Sequence, residues 1–258
     1  MKKKTTAVLV TLTAAALVCG GWTKEEGGKV AVGTNAEYAP FEYLDEKGNV
    51  TGFDVDLMNA IAEKAGLELE WVDMPFDALL GAMESGNIDV IAAALGPTEE
   101  RKKSIDFSDV YYTGSQSVLC LEGADLKDFE AVSGKTIAVL EGSQSDLIAS
   151  GENTDYGEVK DAEVKRFKRA ADAIMELKNE AADAVIIDTI MANIFVEEVG
   201  GLEAHQVEGT EEDTVFGIQK GNTELAELLN EGLKECKEDG TYDELYESYF
   251  SDAEGKVE

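Results

Sequence analysis

The sequence predicts an α/β protein built as two lobes, and three observations carry that prediction. Short apolar runs alternate with stretches of helical spacing from residue 29 onward. The same alternation restarts at Thr136. The chain has 258 residues, 44% of them apolar, with 25 glycines and only 3 prolines, which is a globular composition long enough to fill two cores.

The elements follow in order. Residues 29–33 read as a short buried strand. From Asp54 to Lys64 the apolar positions Val55, Leu57, Met58 and Ile61 recur at helical spacing, and Gly66 is the stop. Residues 67–72 alternate as a half-exposed strand does, 76–85 form an amphipathic helix closed by Gly86, and 88–92 form another strand. This β-α-β-α-β order implies a mostly parallel sheet with helices on both faces. In the second unit, 136–140 is a strand, Gly142 to Ser145 opens a helix, 170–180 is a helix and 184–187 a strand. Residues 117–121 form an apolar strand that contains Cys120. The last two helices, 223–237 and 242–250, are split at Asp239-Gly240. Their lobe is not assigned by sequence alone.

Composition excludes several functions. Lys and Arg number 22 against 54 Asp and Glu, a formal net charge of −32, which repels phosphate backbones and anionic lipid headgroups. No nucleic-acid partner is expected, and the acidity itself reads as a solubility feature. Three cysteines (Cys19, Cys120, Cys236) make no disulfide scaffold and lack the CxxC spacing of a zinc site. A bridge between Cys120 and Cys236 is not expected. The single histidine, His205, argues against a Ser-His-Asp triad and a multi-histidine metal centre, and its polar surroundings read as a solvated loop. Neither metal nor cofactor is expected.

The N-terminus reads as an export signal. Lys2, Lys3 and Lys4 precede an uncharged run from Thr5 to Val18, shorter than a membrane span, that ends in Cys19-Gly20-Gly21. The boundary resembles a lipoprotein lipobox, with Cys19 as the lipidated residue, although Val18 stands where a small residue is favoured. Residues 1–18 are then the signal peptide and 19–28 a lipid-anchored tether.

Candidate site residues lie at the ends of strands. Thr98 is placed to cap a turn that carries Arg101, and a guanidinium beside free backbone N–H groups suits a carboxylate; the competing reading is a surface arginine in a charged run. Asp188 ends an apolar strand, where it either meets a ligand ammonium or caps the helix that follows, the cap being the simpler reading. Tyr38, Phe41, Tyr43 and Phe76 are either core edges or stacking surfaces.

These residues fall in segments that resemble a known family. GTNAEYAPFEY (33–43), GFDVDL (52–57), PTEERKKSIDFSD (97–109) with Tyr111-Tyr112, LEGS (140–143) and DGTY (239–242) are similar to signatures of the polar amino-acid-binding proteins of ABC importers, solute-binding family 3. The resemblance spans residues 29 to 252. It implies a type II periplasmic-binding-protein-like fold, with lobe 1 at 29–113 plus 210–258, lobe 2 at 114–209, and hinge crossings near 113–116 and 209–213. It also implies that Arg101 clamps a ligand α-carboxylate and Asp188 takes the α-ammonium. Thr98 and the backbone around Gly96 and Ser143 assist, and Tyr38 and Phe76 sandwich the side chain. A zwitterion desolvated between lobes needs both charges matched.

Departures from the family pattern set the expected specificity. Asn35 stands where binders of cationic amino acids carry Asp, Ala94 and Gly96 where hydroxyls are common, and Gln144 where some relatives contact the carboxylate. The expectation is therefore a neutral polar or small amino acid, with Glu37 either restoring a negative charge to the site or facing water. The implied protein is a monomer at the outer face of the cell membrane, as a lipoprotein, or in the periplasm. Its partners are a membrane permease and that permease's ATPase, to which lobe closure delivers the ligand. Two alternatives share the fold: a cyclohexadienyl dehydratase-like enzyme using Glu141 or Glu37 as general acid, and a sensor that reports to a separate protein.

Overall fold

The structure is a computed structural model and describes residues 29–154 and 156–254. The signal segment, the tether and Cys19 lie outside the described residues. Among the described residues no helix is long and apolar enough to cross a membrane.

The chain begins with β1 (Val30–Thr34) and a small three-stranded sheet of β2 (Glu37–Tyr38), β3 (Glu42–Leu44) and β4 (Val50–Thr51). Then come α1 (Phe53–Ala65), β5 (Leu69–Asp73), α2 (Phe76–Glu84), β6 (Val90–Ile91), the single turn α3 (Arg101–Ser104) and β7 (Ile105–Phe107). The crossing strand β8 (Tyr112–Gly114) leads to β9 (Gln116–Leu121), β10 (Thr136–Leu140), α4 (Gln144–Ala149), β11 (Glu163–Phe167) and α5 (Ala170–Lys178). After β12 (Ala184–Asp188), α6 (Thr189–Val199) and β13 (Leu202–Gln206), the chain returns through β14 (Glu212–Thr214) to β15 (Gly217–Gln219), α7 (Thr223–Asp239) and α8 (Thr241–Glu254).

Two five-stranded sheets result, ordered β5-β1-β6-β15-β7 and β11-β10-β12-β9-β13. In each, three strands pair in parallel and one strand runs against its neighbours: β15 in the first sheet and β9 in the second. Each reversed strand is the one that enters its sheet directly after a crossing. The crossings pair with each other, Glu212 opposite Gly114 and Thr214 opposite Tyr112, so two antiparallel strands join the sheets.

The first sheet's helices bury one stripe each. In α1 the residues Val55, Leu57, Met58, Ile61 and Ala62 are buried, and Gly66 ends the helix in the left-handed region at φ 67°, its N–H returning to the last turn. The long helix α7 is capped by Asn222, whose side chain accepts from the Leu225 N–H, and it buries Leu225, Leu229, Leu233 and Cys236 at four-residue spacing with one three-residue step. Both α7 and α8 pack on α1, and Phe250 of α8 meets Phe53 edge-on at 4.8 Å between ring centroids. The final helices thus belong with the first sheet.

His205 differs from its sequence reading. It lies on β13, at the edge of the second sheet, and is partly buried rather than in a solvated loop. An alternating polar strand on a sheet edge carries the same composition as a loop, which is why the sequence did not separate them.

Candidate functional site

A cleft opens between the two sheets, where strand ends and helix starts face each other. From the first sheet's side it is lined by Asn35, Tyr38, Phe76, Ala94, Gly96 and Arg101; from the second, by Ser143, Gln144 and Asp188. Of the ten sequence-derived residues, Thr98 alone is not in that lining. It faces a neighbouring groove, while its hydroxyl oxygen accepts from the Arg101 N–H at 3.2 Å. Thr98 therefore caps the turn as expected, but the helix it starts is only one turn long.

Arg101 is a buried arginine, not a surface one, at 8% exposure. Its guanidinium lies over the Phe76 ring, 5.4 Å from the centroid, and donates to the carbonyl oxygens of Gly96 (2.7 Å) and Gly142 (3.0 Å). Gly142 belongs to the second sheet's side, so this one side chain spans the cleft. Burial lowers its pKa to about 10, opposed by nearby Glu212, which leaves it charged at neutral pH.

Asp188 does not cap α6; the helix start has no side-chain cap. Its carboxylate accepts instead from the Tyr38 hydroxyl at 2.5 Å and from Nε2 of Gln116 at 2.5 Å. Burial raises its pKa and those two hydrogen bonds lower it. Tyr38 also stacks on Phe41 at 6.2 Å, so the aromatic group is both wall and hydrogen-bond donor.

Two cleft residues, and one buried behind them, were missed by the sequence reading. Gln116, fully buried on β9, donates through Nε2 to both Asp188 and Glu212 (3.2 Å) and accepts from the Ser145 hydroxyl at 2.7 Å. Glu212 arrives on the crossing strand β14. A Cβ on Gly96 would stand 2.0 Å from Oε1 of Glu212, so a serine or threonine at 96 would displace this carboxylate from its present position. Burial, reinforced by the negative charge of Asp188, pushes Glu212 up to about 8, against the pull of Arg101. Glu42 on β3 is 1% exposed, its Oε2 has no hydrogen-bond partner, and burial together with Asp54 and Asp188 holds its pKa well above the usual carboxylate range. Its place in the 33–43 segment was the available signal. Nothing local marked Gln116 or Glu212.

Behind the wall, Asp54 at the start of α1 accepts from the Ala94 N–H (2.9 Å) and the Tyr111 hydroxyl (2.6 Å). It thereby fastens Ala94, whose φ of 45° is unusual for a residue with a side chain. Burial raises Asp54 to about 7, more than those two hydrogen bonds lower it. A carboxyl raised on folding favours the folded state below its ordinary pKa near 4, and that contribution is lost as pH rises toward 7. Asp54→Asn should therefore gain on the parent protein as pH goes from 4.5 to 8, by up to a few kcal/mol. Denaturant unfolding of both at each pH measures the difference.

Glu37 and Glu141 are engaged elsewhere. Glu37 pairs with Arg169 at 2.9 Å, and Glu141 with Lys168 at 2.9 Å, while Lys168 also reaches Asp77 at 2.6 Å. Glu37–Arg169 and Asp77–Lys168 join the two sides, Glu141–Lys168 stays within the second, and each half-exposed pair contributes little on its own. Tyr43 is not among the cleft residues.

Residues 30–252 match the sequence profile of bacterial extracellular solute-binding proteins, family 3. The chain is 33% identical to the arginine-binding extracellular protein ArtP of Bacillus subtilis (strain 168) over 250 residues, covering 95% of this chain and 96% of that one. Among solved structures it resembles the substrate-binding protein of an amino acid ABC transporter, with a TM-score of 0.80 and 33% identity, covering 87% of this chain and all of that one. It also resembles an ancestral arginine-binding protein bound to arginine, with a TM-score of 0.79 and 38% identity, covering 86% and 98%.

Proposed function

The chain belongs to the bacterial extracellular solute-binding proteins, family 3, and we propose that it is the amino-acid-binding component of an ABC importer whose cleft favours a basic side chain. The observation that carries this is a charge count. Among the described residues the cleft lining holds one guanidinium, Arg101, and three carboxyl groups, Glu42, Asp188 and Glu212. A neutral amino acid brings one charge of each sign, which Asp188 and Arg101 match, and leaves Glu42 and Glu212 with nothing to offset. An amino acid with a basic side chain brings a second positive charge that lets a further carboxylate ionise.

This reading replaces the neutral or polar preference drawn from Asn35. The amide at 35 donates to the Met74 carbonyl oxygen at 3.2 Å and supplies no charge, but Glu42 and Glu212 supply it from other elements. Binding of arginine by similar proteins supports the same direction. Arg101 holds the α-carboxylate, Asp188 the α-ammonium, and Tyr38 and Phe76 flank the ligand. The protein is exported, and Cys19 is proposed as its lipid anchor, with a permease and its ATPase receiving the ligand.

The acids named for the enzymatic alternative, Glu37 and Glu141, sit in ion pairs and are not in the cleft lining. No turnover of arogenate or prephenate is expected. The test of the binding reading is thermal unfolding against the twenty amino acids plus ornithine and citrulline. A ligand at 100 times its dissociation constant stabilises by about 2.7 kcal/mol, a shift on the order of 5–10 °C for a chain of this size. Arginine, lysine, ornithine or histidine should give the largest shifts. A largest shift from glutamine or citrulline would reject the basic preference, and silence across the panel would reject amino-acid binding.

A further inference from the structure

The second sheet carries a cluster that the amino-acid site does not use. Strand β13 pairs antiparallel with β9, placing Glu203 opposite Cys120 and His205 opposite Val118. Glu203 and His205 are two residues apart on one strand and so share a face with Cys120. Nε2 of His205 lies 3.3 Å from Oε1 of Glu203, and Sγ of Cys120 lies 3.8 Å from that same oxygen. All three ligand-type atoms fall within 4.8 Å of one another.

We propose that Cys120, Glu203 and His205 form a binding site for a zinc-like divalent cation. Tetrahedral zinc with bonds of about 2.0 Å to N and O and about 2.3 Å to S places those ligand atoms about 3.3 Å (N to O) and about 3.5 Å (S to O) apart. The N-to-O edge of 3.3 Å matches, and the S-to-O edge of 3.8 Å is longer by about 0.3 Å. Two contacts there are poorly made: Nε2 of His205 is buried and, although 3.3 Å from Oε1 of Glu203, forms no aligned hydrogen bond, and the thiol finds acceptors only at the long distances of 3.8 and 3.9 Å. A metal ion between them satisfies both atoms at once. Thiolate, imidazole and carboxylate together suit zinc or cobalt rather than calcium or magnesium, and three protein ligands leave a fourth position for water.

Binding is balanced simply. The thiol proton leaves to solvent as the sulfur–metal bond forms, and no electron is transferred. Because the sulfur binds metal as thiolate, affinity should climb with pH. The site is separate from the cleft, since Cys120 is four residues along β9 from Gln116, a distance of about 13 Å. A bound ion would clamp the edge strand β13 onto β9.

Cobalt titration tests this on the reduced, chelator-treated protein carrying Cys19→Ser, whose other thiols are Cys120 and Cys236. A thiolate-to-cobalt charge-transfer band in the near ultraviolet should appear and be displaced by added zinc. Cys120→Ser should abolish the band, and Cys236→Ser should leave it unchanged. Glu203→Gln and His205→Asn, at partly exposed positions that spare the fold, should each weaken zinc binding by about 10-fold or more. Absence of the band, its survival in Cys120→Ser, or unchanged zinc affinity in His205→Asn would each overturn the proposal.

Discussion

Arg101→Ala is expected to weaken amino-acid binding by between about 30-fold and several thousand-fold, the range given by about 2–5 kcal/mol for truncating one partner of a buried charge pair. The loss exceeds that of a surface arginine because the guanidinium is buried, stacked on Phe76 and fixed by two carbonyl oxygens before any ligand arrives. Asp188→Ala should cost a similar amount, since it strands a ligand ammonium and removes the acceptor of Tyr38 and Gln116. Neither change opens a hole in the apolar cores of the two sheets, so unfolding by circular dichroism should remain cooperative. Calorimetric titration that returns parental affinity for both variants would reject the site.

The second large effect concerns Glu212. In the ligand-free cleft its pKa of about 8 keeps it largely protonated at neutral pH. A basic ligand side chain favours the ionised form, so the complex binds fewer protons than the free protein. Linkage then fixes the sign: affinity for arginine rises with pH up to about 8 and falls below it by as much as about tenfold per pH unit for each proton released. Glu212→Gln should flatten that slope and lower arginine affinity by about tenfold or more at pH 8, while leaving glutamine nearly unaffected. The amide keeps the shape beside Gly96 and can still accept from Gln116, so packing is preserved. Equal losses for arginine and glutamine would assign Glu212 a structural role instead.

Much of the fold was legible because local chemistry agreed with it. Gly66 marks a left-handed helix end, the apolar spacing of Val55 to Ile61 marks a buried stripe, and residues 136–140 and 184–187 are apolar enough to be central strands. Among the strands that escaped, β11 and β13 have five residues but are mostly polar, while β2 to β4, β7, β8, β14 and β15 have two or three residues each, too short to show a period. The short ones are also the strands that create the crossings and deliver Glu42 and Glu212. The missed charges therefore have the same origin as the missed strands. Arg101 and Asp188 were identified as candidates because a family signature surrounds one and an apolar strand precedes the other. Their true partners, Gln116, Tyr38 and the Gly142 carbonyl, lie 41 to 150 residues away and leave no local mark. The pairing of Cys120 with His205 is of the same kind, made by strand register and not by spacing along the chain.

The most direct measurement is a calorimetric comparison of L-arginine with two analogues that each lack one α-group: agmatine, without the carboxylate, and Nα-acetyl-arginine, without the ammonium. Clamping between Arg101 and Asp188 requires both groups, so arginine should bind at least about 100-fold more tightly than either analogue. If agmatine or the acetylated form binds within a few-fold of arginine, the cleft does not hold its ligand by the two ends of an amino acid.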